Sequence, residues 1–422
     1  MAGGAGGAAA AGGAGGSGGA GGAPCMQAAP LLPSGASIDV TPPMKIGEAL
    51  AKAVAGDKLV LHPGSYTNES ISKLSFAKHV FIQAADGETV TLPGLHFISC
   101  DHLVIDGVHV DGTLELEGSS NVVLRNVTLA GQGEEAALQL QGQHAAGANH
   151  EITVEDSTIG GGGRTVFILG SFAPSEQWNH HLTFRHNHFS CGSHNCFQVS
   201  GGRDLDIVEN DIKSETTAGV LTAGATRVNI LQNTFTSKDS AAMQIATPGM
   251  EWDNYAGVEN MISSKVVIAN NVVSGFKTGV QLDAASDVAI VYNTFVDGAG
   301  VRFNHRTPHD QANKVILDGN ENIRIWNDIM QQLAVAQADK PPALLSNNLI
   351  SGSGSGGDNV VTGAPMFDAA KNYELMAGSP ALDKALVNAE TPLVDFDGRV
   401  RGDKPDLGAR EQGASAPACP SP

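Results

Sequence analysis

The sequence predicts an all-β fold, a single-stranded parallel β-helix, and three observations predict it. The stretch from Lys265 to Asn304 states one pattern twice. A short alternating strand (Val267-Ile268, then Val288-Ile290) ends at an Asn (Asn271, Asn293), and the two Asn lie 22 residues apart. A second short strand, a Gly turn and a third strand follow each time. Three strands and three turns in about twenty residues make one solenoid coil, and internal periods of this size signal stacked repeats. The second observation is that the strand-plus-marker unit recurs along the chain, as in VVLRN, ITVED, LTFRHN, LDIVEN, VNILQN and IRIWN. The third is composition: 52 Gly and only 5% aromatic residues describe a turn-rich chain built on small and β-branched side chains.

The markers are Asp106, Asn126, Asp156, Asn187, Asn210, Asn233, Asn271, Asn293, Asn327 and Asn348. A tight corner between two strands leaves backbone groups unpaired. An Asn amide supplies both a donor and an acceptor there and tolerates left-handed backbone. These residues are therefore read as structural. They imply about ten coils, and at about 4.8 Å per stacked strand a rod of roughly 50 Å.

Ahead of the coils, Ile46, Leu50, Ala53 and Val54 fall on one helical face after Pro42-Pro43 and before Gly56. An amphipathic helix there is a lid for the open hydrophobic end of a first coil. Residues 1–24 are almost entirely Gly and Ala, a composition that buries no core and behaves as a tether. The expected organisation is a disordered linker over 1–36, the β-helix with its cap over 37–412, and a disordered tail over 413–422.

A formal charge of −19 argues against nucleic acid and anionic membranes as partners. An anionic polysaccharide would need a local cationic site or a bridging metal. No apolar run reaches the ~18 residues of a membrane span, and no export signal is visible at the start. The Gly/Ala leader nonetheless resembles the spacers of bacterial surface proteins, so the expected location is extracellular or on the cell surface, as a monomer. Of five Cys, Cys191 and Cys196 flank one turn, where a disulfide and a pair of buried thiols both fit.

The coil pattern resembles the right-handed parallel β-helix of the pectin-lyase-like superfamily. The ending sharpens the resemblance. Ala364-Pro365-Met366-Phe367, Ser379-Pro380-Ala381-Leu382-Asp383 and Asp395-Phe396-Asp397-Gly398 through Pro405-Asp406-Leu407-Gly408-Ala409-Arg410-Glu411 look like the tail of bacterial right-handed β-helix repeat proteins. The resemblance implies a tail packed on the solenoid. Asp395-x-Asp397-Gly398 leaves calcium open as a cofactor, although the remaining ligands of an EF-hand loop are absent and a structural turn is the simpler reading.

The resemblance also implies that substrate lies along the third strand of each coil. Alternation within VQL (280–282) turns Val280 and Leu282 inward and Gln281 outward. The same register puts Gln139, Gln198, Leu221, Gln244, Gln281 and Arg302 in one outward column, a polar strip suited to an extended sugar chain. Insertions follow these strands and carry Trp178, Trp252 and Tyr255, whose rings could stack on sugars or serve only to fold the loops.

The densest polar cluster is Arg302, His305, Arg306, Thr307, His309 and Asp310, with Asp283 one coil earlier on the same edge. Lyase and epimerase chemistry on uronic acids requires a cation for the sugar carboxylate, a base for the C5 proton and an acid opposite. Arg302 or Arg306, His309 and Asp310 match those roles. Thr307-Pro308-His309-Asp310 is similar to the Asp-Pro-His-Asp/Glu motif of bacterial mannuronan C5-epimerases, with Thr307 in place of the first Asp. The polygalacturonase signature and the RxPxxR arrangement of pectate lyases are absent. A second group, His180, His181, His186, His188 and His194, suggests metal by count, but strand alternation would scatter it. The expected function is a lyase or C5-epimerase on uronate-containing polysaccharide, the alternative a non-catalytic, adhesin-like carbohydrate binder on the same face.

Overall fold

The computed structural model describes residues 31–413 except 143–145, 171–173, 192, 215–217, 238–240 and 247–255. Its strands form three parallel ladders that wind around one core. The first ladder has 13 strands, from Ser37–Val40 through Asp101–Asp106, Ser120–Arg125, Asn179–Arg185 and Ser286–Val291 to Leu344–Ser346. The second includes Thr128–Gly131, Asp211–Ser214 and Thr294–Phe295. The third runs from Glu69–Ser72 through Leu138–Gln141, Phe197–Ser200, Ala241–Ala246 and Thr278–Asp283 to Gly300–Asn304. The first ladder thus begins three strands before the first marker, in coils whose corners carry no Asn.

Parallel in-register pairing puts like side chains above one another. Leu103, Val122, Ile152, Leu182, Leu205, Val228, Val266, Val288 and Ile323 form one such stack inside the first ladder. All are buried. The core is one continuous column of aliphatic and Phe side chains, and its burial is the main favourable term in folding.

The corner between the first and second ladders divides nine of the ten markers, all but Asp106, into two roles. Asn187, Asn210, Asn233, Asn271, Asn293 and Asn348 are buried and belong to a stack. Asn187 N donates to Asn210 Oδ1 (3.0 Å), Asn210 N to Asn233 Oδ1 (2.9 Å), Asn233 N to Asn271 Oδ1 (2.9 Å) and Asn271 N to Asn293 Oδ1 (3.0 Å). Each Nδ2 also reaches a backbone carbonyl of the preceding coil, as Asn233 does to Ile207 O at 2.8 Å. The left-handed conformation falls instead on the residue just before the stack: Asn126, Asp156, His186, Glu209, Gln232, Asn270, Tyr292 and Asn327 have φ between 51° and 62°. Asn126, Asp156 and Asn327 are therefore turn formers, and Ser157 and Asp328 occupy the stack positions that follow two of them.

The lid is shorter than the sequence pattern suggests. The helix spans Ile46–Leu50 and buries Ile46, Ala49 and Leu50 in the core. Val54 is 64% exposed, so it leaves the buried face expected for it. Glu69 caps the helix, its carboxylate accepting from Ile46 N (2.9 Å) and Gly47 N (3.0 Å). Within the expected linker, Ser34 N and Gly35 N donate to Gly56 O and Ala36 N to Asp57 Oδ1. Residues 34–36 are thus tied to the cap and not part of a free tether.

The tail packs on the first ladder. Arg401 is buried, pairs with Glu411 at 3.1 Å, donates to Asn270 Oδ1 at 2.8 Å and lies 4.0 Å from the Tyr292 ring centroid. The Asp395 carboxylate accepts from the backbone N–H groups of Asp397, Arg399 and Glu411, and Asp397 Oδ2 accepts from Arg410. That loop spends its carboxylates on its own turn. Cys191 and Cys196 form a disulfide, while Cys100 is a buried thiol.

Candidate functional site

The outward column of the third ladder stands in register. Gln139 pairs with Phe167, Phe167 with Gln198, Gln198 with Leu221, Leu221 with Gln244, Gln244 with Gln281 and Gln281 with Arg302. Alternation positions these side chains because Leu138, Leu140, Val199, Ile245, Val280, Leu282 and Val301 turn into the core. Phe167 is a partly exposed ring that the sequence reading passed over, although VFIL (166–169) alternates like its neighbours. Arg164 lies 4.8 Å from that ring centroid and donates to Gln198 Oε1 at 2.7 Å.

At the C-terminal end of this face, Asp283 collects three amides. Its Oδ2 accepts from Gln244 Nε2 and Gln281 Nε2, both at 2.8 Å, and its Oδ1 from Asn304 Nδ2 at 2.8 Å. Asp283 is 9% exposed, whereas Arg302 beside it is exposed. At the other end the face is acidic. His96 Nε2 lies 3.4 Å from Glu117 and 3.9 Å from Glu115, and Gln139 Nε2 donates to Glu115 at 3.3 Å. LHFI (95–98) and LELE (114–117) alternate visibly, so these residues too were within reach of the sequence.

The polar cluster after Arg302 separates into local units. His305 Nε2 lies 3.4 Å from Asp318 and 3.3 Å from Thr307 Oγ1, and its Nδ1 lies 3.8 Å from Asp339. His309 bridges to Val315. Asp310 Oδ1 accepts from Ala312 N (2.9 Å) and Lys314 N (2.8 Å), which closes a tight turn. Among the described residues no hydrogen bond or ion pair joins His309 or Asp310 to Arg302 or Asp283. Trp178 is 1% exposed and presents no ring face for stacking, which corrects its expected role. Trp252 and Tyr255 lie outside the described residues.

The histidines scatter as alternation requires. His180 and His181 lie with His150 at the N-terminal ends of two adjacent first-ladder strands, His186 pairs with Glu209 at 2.5 Å, and His188 and His194 face Asp211 and Glu134. Burial and the neighbouring Arg203, His181 and His150 push the His180 imidazole down to about 4. Among the described residues no group of three His, Cys, Asp or Glu is arranged to hold a metal ion. A groove of about 960 Å³ lies on the outer face of the first ladder, with Leu31, His181, Asp204, Arg227, Lys265 and Arg324 in its lining. Its Asp204 and Arg227 pair with each other, and Arg324 pairs with Glu390 of the tail.

Comparison with known proteins agrees with this architecture. Residues 72–249 match the family model described as right handed beta helix region. Among solved structures, XylC in complex with xylose superposes with a TM-score of 0.61 at 9% identity, covering 90% of this chain and 99% of that one. A mannuronic acid specific polysaccharide family 6 lyase from human gut microbiota gives 0.52 at 13% identity, covering 80% and 92%. The alginate lyase AlyGC gives 0.51 at 14% identity; 84% of this chain is covered, and it spans only 58% of AlyGC. No curated protein matches. With three parallel ladders around one core and this family match over residues 72–249, the chain has the right-handed parallel β-helix fold.

Proposed function

We propose that this protein binds an extended polysaccharide along the outward face of its third ladder and acts on uronate-containing chains as a lyase or C5-epimerase. The observation that carries the reading is the in-register run Gln244, Gln281 and Arg302 with Asp283 and Asn304 in the adjacent column. It sets polar groups at strand spacing beside an exposed cation in a chain of net charge −19. Arg302 would neutralise the sugar carboxylate and so acidify the C5 proton. His305 and His309 are the groups left to move that proton, because the Asp310 carboxylate is engaged by its own turn. Neighbours of the same fold, an alginate lyase, a mannuronic acid specific lyase and XylC in complex with xylose, support a carbohydrate ligand.

The local bonding of His309 and Asp310, with no hydrogen bond or ion pair to Arg302 among the described residues, favours a second reading, a non-catalytic carbohydrate-binding surface protein. Incubation with pectate, alginate and glycosaminoglycans separates the two. Growth of ultraviolet absorbance from unsaturated uronate ends, or epimerised residues by NMR, supports catalysis. Binding without either product supports the second reading. We place the protein outside the cell or on its surface, as a monomer; the Cys191–Cys196 disulfide fits an oxidising compartment. No helix of the described residues is long and apolar enough to cross a membrane.

A further inference from the structure

Asp283 sits two residues beyond Gln281 on the outward face, yet its carboxylate is turned into the strip. A carboxylate offers only acceptors. Each amide bonded to it must therefore bring its NH₂ inward, and its carbonyl oxygen is left on the other side. Gln244, Gln281 and Asn304 are held this way, each at 2.8 Å. Their carbonyl oxygens accept no hydrogen bond from any described residue. Arg302, in register with Gln281, is exposed and has no ion pair among the described residues.

We infer that Asp283 is a positioning residue that fixes the hydrogen-bond polarity of a sugar subsite, three carbonyl acceptors beside one guanidinium. The subsite takes an acidic sugar chain that presents hydroxyl donors to Gln244, Gln281 and Asn304 and a carboxylate to Arg302. A densely sulfated chain would set acceptors against acceptors and is disfavoured. The inference rests on the polysaccharide reading and narrows it to a hydroxyl-rich uronate. It also removes Asp283 from the expected catalytic groups, since both carboxylate oxygens already accept from amides.

The test is calorimetric titration of pectate and alginate oligomers, each alongside its carboxyl-reduced form, with wild type and variants whose thermal melts are recorded in parallel. Wild type binds at least one carboxylated oligomer more tightly than its reduced form. Asp283→Asn puts a donor against the amides and turns at least one of them round. It weakens both forms by about tenfold and leaves their ratio unchanged, the size expected for one or two lost hydrogen bonds. Arg302→Gln abolishes the ratio. Gln244→Met, a milder change should Asp283→Asn not fold, weakens both forms a few-fold at constant ratio. Wild-type affinity in both Asp283→Asn and Gln244→Met, or loss of the ratio in Asp283→Asn, overturns this inference alone. Wild type that binds none of the oligomers overturns the polysaccharide reading and this inference with it.

Discussion

Asp328 stands between Asn293 and Asn348 in the corner stack. Its Oδ1 accepts from Asn293 N (2.6 Å) and Asn293 Nδ2 (3.0 Å), while its Oδ2 is buried with no partner among the described residues. Burial pushes this carboxyl up to about 8. In the unfolded chain an Asp titrates near 4, so between about pH 4 and 8 the native state keeps a proton that the unfolded state has lost. Stability from this group is therefore present below about pH 4 and is lost as pH rises through about 8. Asp328→Asn carries no such proton and gains the donor that its stack neighbours use. Its melting temperature should exceed that of wild type by a margin that widens from pH 4 to pH 8; a margin independent of pH contradicts the assignment. Arg302 makes the other prediction at this scale. If the chain is a lyase or epimerase, Arg302→Gln should lower kcat by about 10²-fold or more, as loss of one charge-stabilising donor does, with no change in the thermal melt.

The stack acts as an element. Asn233 Oδ1 accepts from both Asn210 N and Asn210 Nδ2, so Asn233→Ala leaves the buried Asn210 backbone N–H and one of its two amide N–H bonds without an acceptor. At about 1–3 kcal/mol for each unsatisfied group, denaturant melts should show a loss of at least about 2 kcal/mol. The corresponding change at Asn126, an exposed turn former whose Nδ2 reaches Asp106 (3.0 Å), should cost less. The contrast marks what was legible in the sequence. The spacing of Asn187, Asn210, Asn233, Asn271 and Asn293 was visible because one residue type recurs at one corner. The left-handed position before it was not, because Asp, His, Glu, Gln, Asn and Tyr all serve there and the corner imposes the conformation. The Gln column was visible through period-two alternation, which depends only on neighbours. The local fates of His309, Asp310 and Trp178 were not, because the folding of an insertion is decided by contacts far along the chain. Trp178 went inward for the reason large aromatics usually do: its buried area outweighs its polar edge.

At the scale of the whole molecule, the first and last described segments fasten onto the first ladder, the tail also onto Thr294 of the second, and leave the third ladder open. The N-terminal segment reaches Arg125 through Leu31 O (3.0 Å), and the tail is anchored by Arg401. Arg401→Ala leaves Glu411 buried without its cation, which costs about 3–5 kcal/mol. Limited proteolysis should then cut between residues 384 and 410 before the coils, and an unchanged digestion pattern would contradict the anchoring. This arrangement also gives the most direct test of where sugar binds, a crystal structure with a uronate oligomer. The account predicts sugar density across Gln244, Gln281 and Arg302 on the third ladder. Density confined to the groove between Leu31 and Arg324 on the first ladder would contradict it.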